Sequence, residues 1–138
     1  MASSFLLDTG FLVALVNARD PDHERCVEVW MALRGRVVTI EGVLVEASHL
    51  LARSRGGADA ALHLVAAVDA TIVPLDARRM RAAATLMDRY RNVPMDLVDA
   101  LLVLTAQDLS IRDVLTLDRR GFAVYRLGGR RALRMLPA

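Results

Sequence analysis

The sequence lacks lysine altogether and contains one cysteine, Cys26, in 138 residues. A single thiol excludes an internal disulfide framework, and the spacing of cysteine and histidine residues suits no zinc site. The absence of lysine also argues against magnesium phosphatases and receiver-like domains, which need a lysine beside an aspartate pocket. Because apolar residues surround Cys26, we interpret it as a small side chain of the core.

Long apolar runs are also missing, since the longest, residues 11–16 and 100–106, are far shorter than a membrane span. The N-terminus has no basic start and carries Asp8 within its apolar stretch, which is unlike a signal peptide. We therefore expect a cytoplasmic protein with no membrane contact. Apolar residues make up 54% of the chain, enough for one core, and the length predicts a single domain covering residues 1–138.

Acids are absent from the C-terminal end of the chain, where six arginines follow Asp118. All 18 basic residues are arginines, and 16 acids bring the net charge down to +2. Guanidinium groups bind phosphate oxygens in a bidentate manner, so such a tail suits a nucleic-acid backbone. Taken alone, a solvated C-terminus explains the tail better.

Apolar runs typical of buried strands alternate with segments of helical spacing. The predicted helices cover residues 11–18, 22–33, 41–53, 58–68, 77–91 and 96–109. The predicted strands cover residues 5–7, 37–40, 71–75 and 113–117, with edge strands at 125–127 and 133–135. Strands that are apolar throughout, rather than alternating, indicate an α/β fold with a mostly parallel, buried sheet.

Five acids occupy positions that suggest a functional site. Asp8 and Asp118 directly follow predicted strands, and functional groups collect beyond the carboxyl ends of a parallel sheet. Asp96 and Asp99 lie three residues apart and project from one side of a helix, while Glu46 lies in an otherwise apolar helix. Carboxylates in apolar surroundings are costly unless they are paired or bind a cation. An all-oxygen ligand set favours Mg²⁺ or Mn²⁺.

Each acid also has a purely structural interpretation. Asp8 suits a turn after a strand, and Glu46 suits a solvent-facing position. Asp118 suits a cap of the following turn, and Asp96 is explained as well by a helix N-cap as by a role in the site. None of these interpretations explains the apolar setting that the acids share. The residues alone therefore leave both interpretations open and favour the metal site.

Four segments resemble the ordered acidic motifs of the PIN-domain family. They are LLDT at 6–9, VLVE at 43–46, DLVDALL at 96–102 and LTLDRRGF at 115–122. These segments occur in the family's order and span nearly the whole chain. Residues 118–126, with Phe122 and Tyr125, resemble the C-terminal signature of VapC-type toxins in this family.

The resemblance implies a three-layer α/β/α fold with a mostly parallel central sheet. It also implies a metal-dependent endoribonuclease that hydrolyses RNA phosphodiester bonds. Asp8, Glu46, Asp99 and Asp118 match the acids that catalyse this reaction and hold Mg²⁺ or Mn²⁺. Asp96 matches an extra acid of some members, so it is expected to be either a further metal ligand or a helix cap.

Further expectations concern supporting residues and partners. Thr9 and Thr116 match hydroxyl positions that flank the family's site. Members of this size are commonly dimeric toxins silenced by an antitoxin, which implies a homodimer and a cognate antitoxin of a bacterial type II toxin–antitoxin module. Arginines near the site and in the tail are expected to position the RNA. These predicted RNA-binding residues are Arg53, Arg55, Arg119 and Arg120.

Two alternatives share the same fold. One is an RNA-processing PIN-domain nuclease without an antitoxin, and the other is a non-catalytic protein-binding module. Intact acids at all four matched positions argue against the non-catalytic module. The histidines His23, His49 and His63 lie in different predicted helices, and a metal mechanism needs none of them.

Overall fold

The computed structural model describes residues 3–54 and 56–138. Along the described chain, two helices follow each of the first three strands, and one short helix and three strands follow the fourth. The elements are β1 (Ser4–Leu7), α1 (Thr9–Val16), α2 (His23–Ala32), β2 (Arg36–Ile40), α3 (Glu41–Leu50), α4 (Gly57–Ala67), β3 (Thr71–Val73), α5 (Ala77–Arg89), α6 (Leu97–Leu109), β4 (Asp113–Leu115), α7 (Arg119–Phe122), β5 (Arg126–Leu127), β6 (Arg131–Ala132) and β7 (Arg134–Leu136).

Five strands form one parallel sheet in the order β3-β2-β1-β4-β7. The chain steps from β1 through β2 to β3 in one direction and then crosses back over β1 to β4. Right-handed crossovers place the helices of the two directions on opposite faces of the sheet. Accordingly, α1 packs with α2, α3 and α4, whereas α5 packs with α6. The result is the predicted three-layer α/β/α architecture.

Two inner strands of the sheet, β1 and β4, are buried in the core. Leu6 and Leu7 of β1 are fully buried, as are Val114 and Leu115 of β4. Leu7 and Leu115 are paired across the two strands. Burial on both faces explains why these strands are apolar throughout. Cys26 is buried in the same core, as the sequence predicts.

The direction in which successive strands are added to the sheet reverses between β1 and β4, so the carboxyl ends of these two parallel strands flank a crevice. Loops leaving these two strands run to opposite faces of the sheet and leave room between them. Crevices of this kind are where open α/β sheets bind ligands. Asp8 directly follows β1, and Thr116 directly follows β4, so the sheet brings two predicted site residues to the crevice.

Two features of the C-terminal region differ from the sequence prediction, and one agrees with it. The predicted edge strand at 125–127 is β5, which pairs antiparallel with β6 in a separate hairpin and does not join the main sheet. The last strand, β7, does join it, parallel to β4. The short helix α7 was not predicted, because four residues are too few to show a helical period.

Helix boundaries also shift by a few residues. The helix predicted at 11–18 starts at Thr9, because Asp8 caps it. The helix predicted at 41–53 ends at Leu50 and continues as turns. Among the described helices, none has both the length and the apolar character needed to cross a membrane.

Candidate active site

The site is built around Asp8, which links β1 to α1. Its backbone N–H donates to the Leu115 carbonyl oxygen at 2.9 Å and so extends the pairing of β1 with β4. Its side chain caps α1, because Oδ1 accepts from the Thr9 backbone N–H at 2.8 Å. Only 7% of Asp8 is exposed. The carboxylate is thus held rigidly at the crevice with little access to solvent.

The second oxygen of Asp8 is fixed from β4. The Thr116 hydroxyl donates to Asp8 Oδ2 at 2.7 Å, and Thr116 Oγ1 accepts from the Asp118 backbone N–H at 3.0 Å. Thr116 is completely buried. One hydroxyl therefore joins the two predicted acids across the crevice, which is the supporting place that the sequence resemblance implies for it.

Burial raises the pKa of Asp8 to about 6, because water can no longer solvate the charged carboxylate. The hydrogen bonds from Thr116 and Thr9 oppose this rise. The negative charges of Asp118 and Glu46 add to it. These two acids lie on different elements from Asp8, and their charges act in the same direction as burial, which is the larger cause.

Asp99 and Asp96 start α6 together. The Asp99 backbone N–H donates to Asp96 Oδ1 at 2.9 Å, and the Asp96 backbone N–H donates to Asp99 Oδ2 at 3.2 Å. This reciprocal pair is a capping box. The structure therefore confirms that Asp96, which is exposed, is a helix cap.

Asp99 is partly buried, although it lies in the first turn of α6. Burial raises the pKa of Asp99 to about 7, and the hydrogen bond from the Asp96 backbone opposes this rise. The charges of Asp96, Asp8 and Asp118 raise the pKa further. Asp8, Asp99 and Asp118 therefore form one electrostatic group at the carboxyl edge of the sheet.

Asp118 and Glu46 border this group. Asp118 caps α7, where its Oδ1 accepts from the Gly121 backbone N–H at 3.2 Å, and its side chain is exposed. Glu46 lies on α3 and is half-buried. Both are closer to solvent than Asp8, so they have more freedom to adjust to a ligand.

Tyr125 is a site residue to which sequence reasoning gave no role. Its hydroxyl lies 3.2 Å from the Pro94 carbonyl oxygen and 3.4 Å from Asp99 Oδ2, and it can donate to either. The ring packs edge-to-face against Phe122 and Tyr90. Burial, followed by the charge of Asp99, raises the pKa of Tyr125 above its usual value. The only sequence signal was its place in the C-terminal signature.

The donor chemistry of the site fits a hard divalent cation. Every candidate ligand is an oxygen, and the buried Thr9 Oγ1 beside Asp8 has no hydrogen-bond partner. Within residues 3–54 and 56–138, however, no three His, Cys, Asp or Glu side chains converge as a ready-made ligand set. The acids match such a cation in chemistry, because they offer only oxygen donors.

The predicted RNA-binding arginines fall into two places. Arg119 and Arg120 follow Asp118 in α7 and are exposed, and Arg119 Nη1 donates to the Pro137 carbonyl oxygen at 3.0 Å. Arg53 is exposed in the turns after α3. Arg55 lies outside the described residues. Two of the four arginines therefore adjoin the acids, and Arg53 is on a separate part of the surface.

Comparisons with known proteins give matches over most of the chain. The family model of the PIN domain matches residues 5–127. Ribonuclease VapC26 of Mycobacterium tuberculosis (strain ATCC 25618 / H37Rv) is 30% identical over 130 residues, which is 91% of this chain and 96% of that protein.

Solved structures share the fold. The crystal structure of Mycobacterium tuberculosis VapC20, described as a sarcin-ricin loop cleaving toxin, has a TM-score of 0.78 and 24% identity, covering 85% of this chain and 92% of that one. FitAcB from Neisseria gonorrhoeae has a TM-score of 0.67 and 20% identity, covering 94% and 96% of the two chains. At these identities the similarity shows the α/β/α fold.

Proposed function

Because this chain belongs to the PIN-domain family, we propose that it is a metal-dependent endoribonuclease and the toxin of a bacterial type II toxin–antitoxin pair. The observation that carries the proposal is the buried carboxylate of Asp8, held between Thr9 and Thr116 within electrostatic reach of Asp118 and Glu46. The relative VapC26, which is named a ribonuclease, supports RNA as the substrate.

Four acids would hold Mg²⁺ or Mn²⁺. Asp8 and Asp99 are suited to direct ligation, and Glu46 and Asp118 would complete the set directly or through water. A bound ion would activate a water for in-line attack and neutralise charge on the scissile phosphate. Asp96, which caps α6 as Asp8 and Asp118 cap their own helices and is exposed, would contact the ion through water.

The rest of the site positions these groups. Thr116 and the Thr9 backbone N–H hold both oxygens of Asp8 in one orientation. The N-termini of α1 and α6 lie at the acids, and their partial positive charge favours both the carboxylates and an approaching phosphate. Arg119 and Arg120, beside Asp118, would bind phosphates of the same strand.

The partners of the toxin are also part of the proposal. Large apolar side chains are exposed on α2, α3 and α4, among them Met31 at 70%, Val45 at 69% and Leu50 at 59%. Apolar surface of this extent favours association with protein. We propose that a cognate antitoxin and a second copy of the chain cover part of it, which co-purification and light scattering test.

The deciding experiment is RNA cleavage with and without metal. Wild-type protein should cleave RNA in Mg²⁺ or Mn²⁺ and lose the activity in EDTA. Asp8→Asn and Asp99→Asn should each lower the rate on the order of thousandfold, since each removes a charged ligand. The matched control is Asp59→Asn, an exposed acid in the first turn of α4, which should retain full activity. Cleavage that survives chelation or both site variants would refute the proposal.

A further inference from the structure

A separate cleft lies beside the turns that follow α1 and α3. Val16, Asn17, Ala18 and Arg19 line one side, and Arg53 and Ser54 line the other. Its volume is about 630 Å³. Both arginines are exposed, and the cleft contains no acid among its lining residues.

The charges of these arginines are uncompensated. Among the described residues, no acid lies within 4 Å of the guanidinium of Arg19 or Arg53. Asp20, the neighbour of Arg19 in sequence, accepts from the Asp22 backbone N–H through Oδ1 at 2.9 Å and is in none of the ion pairs among the described residues. Two guanidinium groups facing one cleft form an anion site, and a guanidinium fork matches the geometry of phosphate oxygens.

Two helices, α1 and α3, connect the acidic site with the cleft. Asp8 caps the start of α1, and Arg19 follows its end. Eight helical residues span about 12 Å at 1.5 Å per residue. Glu46, whose charge acts on Asp8, lies on α3, and Arg53 follows the end of that helix. Asp8 therefore lies at the start of α1 and Glu46 in the middle of α3, and an arginine follows the end of each helix.

We propose that this arginine cleft binds a backbone phosphate of the RNA strand, away from the bond that the acids cleave. The inference rests on the proposed nuclease function and adds a second contact point to it. Single-stranded nucleic acids are commonly held by a basic groove that follows the backbone over several nucleotides. Arg19 and Arg53 are then positioning residues, which fix the strand without touching the scissile phosphate.

A structural role for the same arginines makes a different prediction. Cations near the C-terminal ends of helices are favourable because they offset the helix dipole. If that were their only role, replacing them would lower the melting temperature and leave RNA affinity unchanged. The two roles are therefore separable by measuring stability and RNA binding on the same variants.

The test uses Asp99→Asn protein, which should bind RNA without cleaving it, and a fluorescent single-stranded RNA of about 20 nucleotides. Arg19→Ala and Arg53→Ala, added singly, should each weaken binding by about three- to tenfold. Each should also reduce the slope of log affinity against log salt by about 1. The control is Arg81→Ala, an exposed arginine of α5 on the opposite face, which should change neither quantity.

A nested series of shorter RNAs locates the contact. Trimming from one end should abolish the effect of Arg53→Ala once the strand no longer reaches the cleft, and trimming from the other end should leave it intact. Arg53→Lys keeps the charge and should recover most of the affinity, which separates phosphate binding from loss of fold.

The outcomes distinguish the two proposals. If wild-type protein cleaves RNA with metal but Arg19→Ala and Arg53→Ala bind like Arg81→Ala, the arginine cleft is refuted and the nuclease stands. If the variants lose affinity for an antitoxin and keep their affinity for RNA, the cleft is likewise refuted. If wild-type protein neither binds nor cleaves RNA in Mn²⁺, both proposals fall.

Discussion

Replacing Asp8 with asparagine should stabilise the metal-free protein above about pH 6, although it removes a proposed catalytic ligand. Burial raises the pKa of Asp8 from 3.8 to about 6. A rise of about two units corresponds to about 3 kcal/mol at 1.36 kcal/mol per unit, all of it opposing folding once the group is charged. Asparagine cannot accept from both Thr9 and Thr116, and the lost hydrogen bond costs about 1 kcal/mol. The net gain is about 2 kcal/mol.

The sign follows from proton linkage. The folded state holds a proton on Asp8 more tightly than the unfolded chain does, so the free energy of unfolding falls as pH rises between about 4 and 6. Because the pKa of Asp99 is raised to about 7, the free energy of unfolding continues to fall as the pH approaches neutrality. The stabilising effect of protonated Asp8 and Asp99 is fully present below the pKa that these groups have in the unfolded chain. Asp8→Asn removes the part of the loss at higher pH that comes from Asp8 and leaves the part that comes from Asp99.

The assay is chemical denaturation in EDTA from pH 4.5 to 8.5. At pH 8 the Asp8→Asn variant should exceed wild type by about 2 kcal/mol, on the order of 6 °C in melting temperature. Toward pH 4.5 the difference should disappear or reverse, because wild-type Asp8 is then protonated and neutral. Asp59→Asn, at an exposed site, should follow the wild-type curve throughout. A variant that is less stable at pH 8, or equally pH-dependent, refutes this account of Asp8.

Two further predictions concern metal and packing. Mn²⁺ at a hundredfold excess over Kd should stabilise wild type by roughly 2.7 kcal/mol in thermal melts, and Asp8→Asn should lose most of this gain; equal shifts in both would contradict a metal site at Asp8. Arg79, only 5% exposed, donates to Asp108 at 2.9 Å and to Thr105 at 2.7 Å. Arg79→Met should cost about 2–3 kcal/mol in urea unfolding, less than a fully buried pair because Asp108 is half-exposed; an unchanged midpoint would contradict this.

The sequence predicts the parallel sheet well because short runs of apolar and β-branched residues identify its strands. Residues 5–7 are a short apolar run that ends at Asp8, residues 37–40 are rich in β-branched residues, and the structure places both in strands of the main sheet. Asp76 directly precedes the helix predicted at 77–91, and it caps that helix by accepting from the Arg79 backbone N–H at 2.8 Å. Helix starts with aspartate caps are readable from sequence because capping depends only on neighbouring residues.

The C-terminal region could not be predicted in the same way. The strands β5 and β6 are two residues long, so they carry no hydrophobic alternation, and arginines make up half of them. The pairing of β7 with β4 depends on residues about 20 positions apart. The contacts of Tyr125 with Pro94 and Asp99 join residues that are 31 and 26 positions apart in the sequence. Such contacts are decided by tertiary packing, which no local pattern records.

The structural and functional interpretations of the acids turn out to be compatible. Asp8, Asp96 and Asp118 each cap a helix, and Asp8 and Asp118 are also at the proposed metal site. For Asp8 and Asp118 the coincidence follows from topology, because α1 and α7 follow parallel strands, and such helices begin at the carboxyl edge, where ligands bind. Asparagine caps helices about as well as aspartate but carries no charge. Asparagine variants therefore keep the cap and remove the charge, whereas alanine would remove both, so only the asparagine variants separate loss of metal binding from loss of fold.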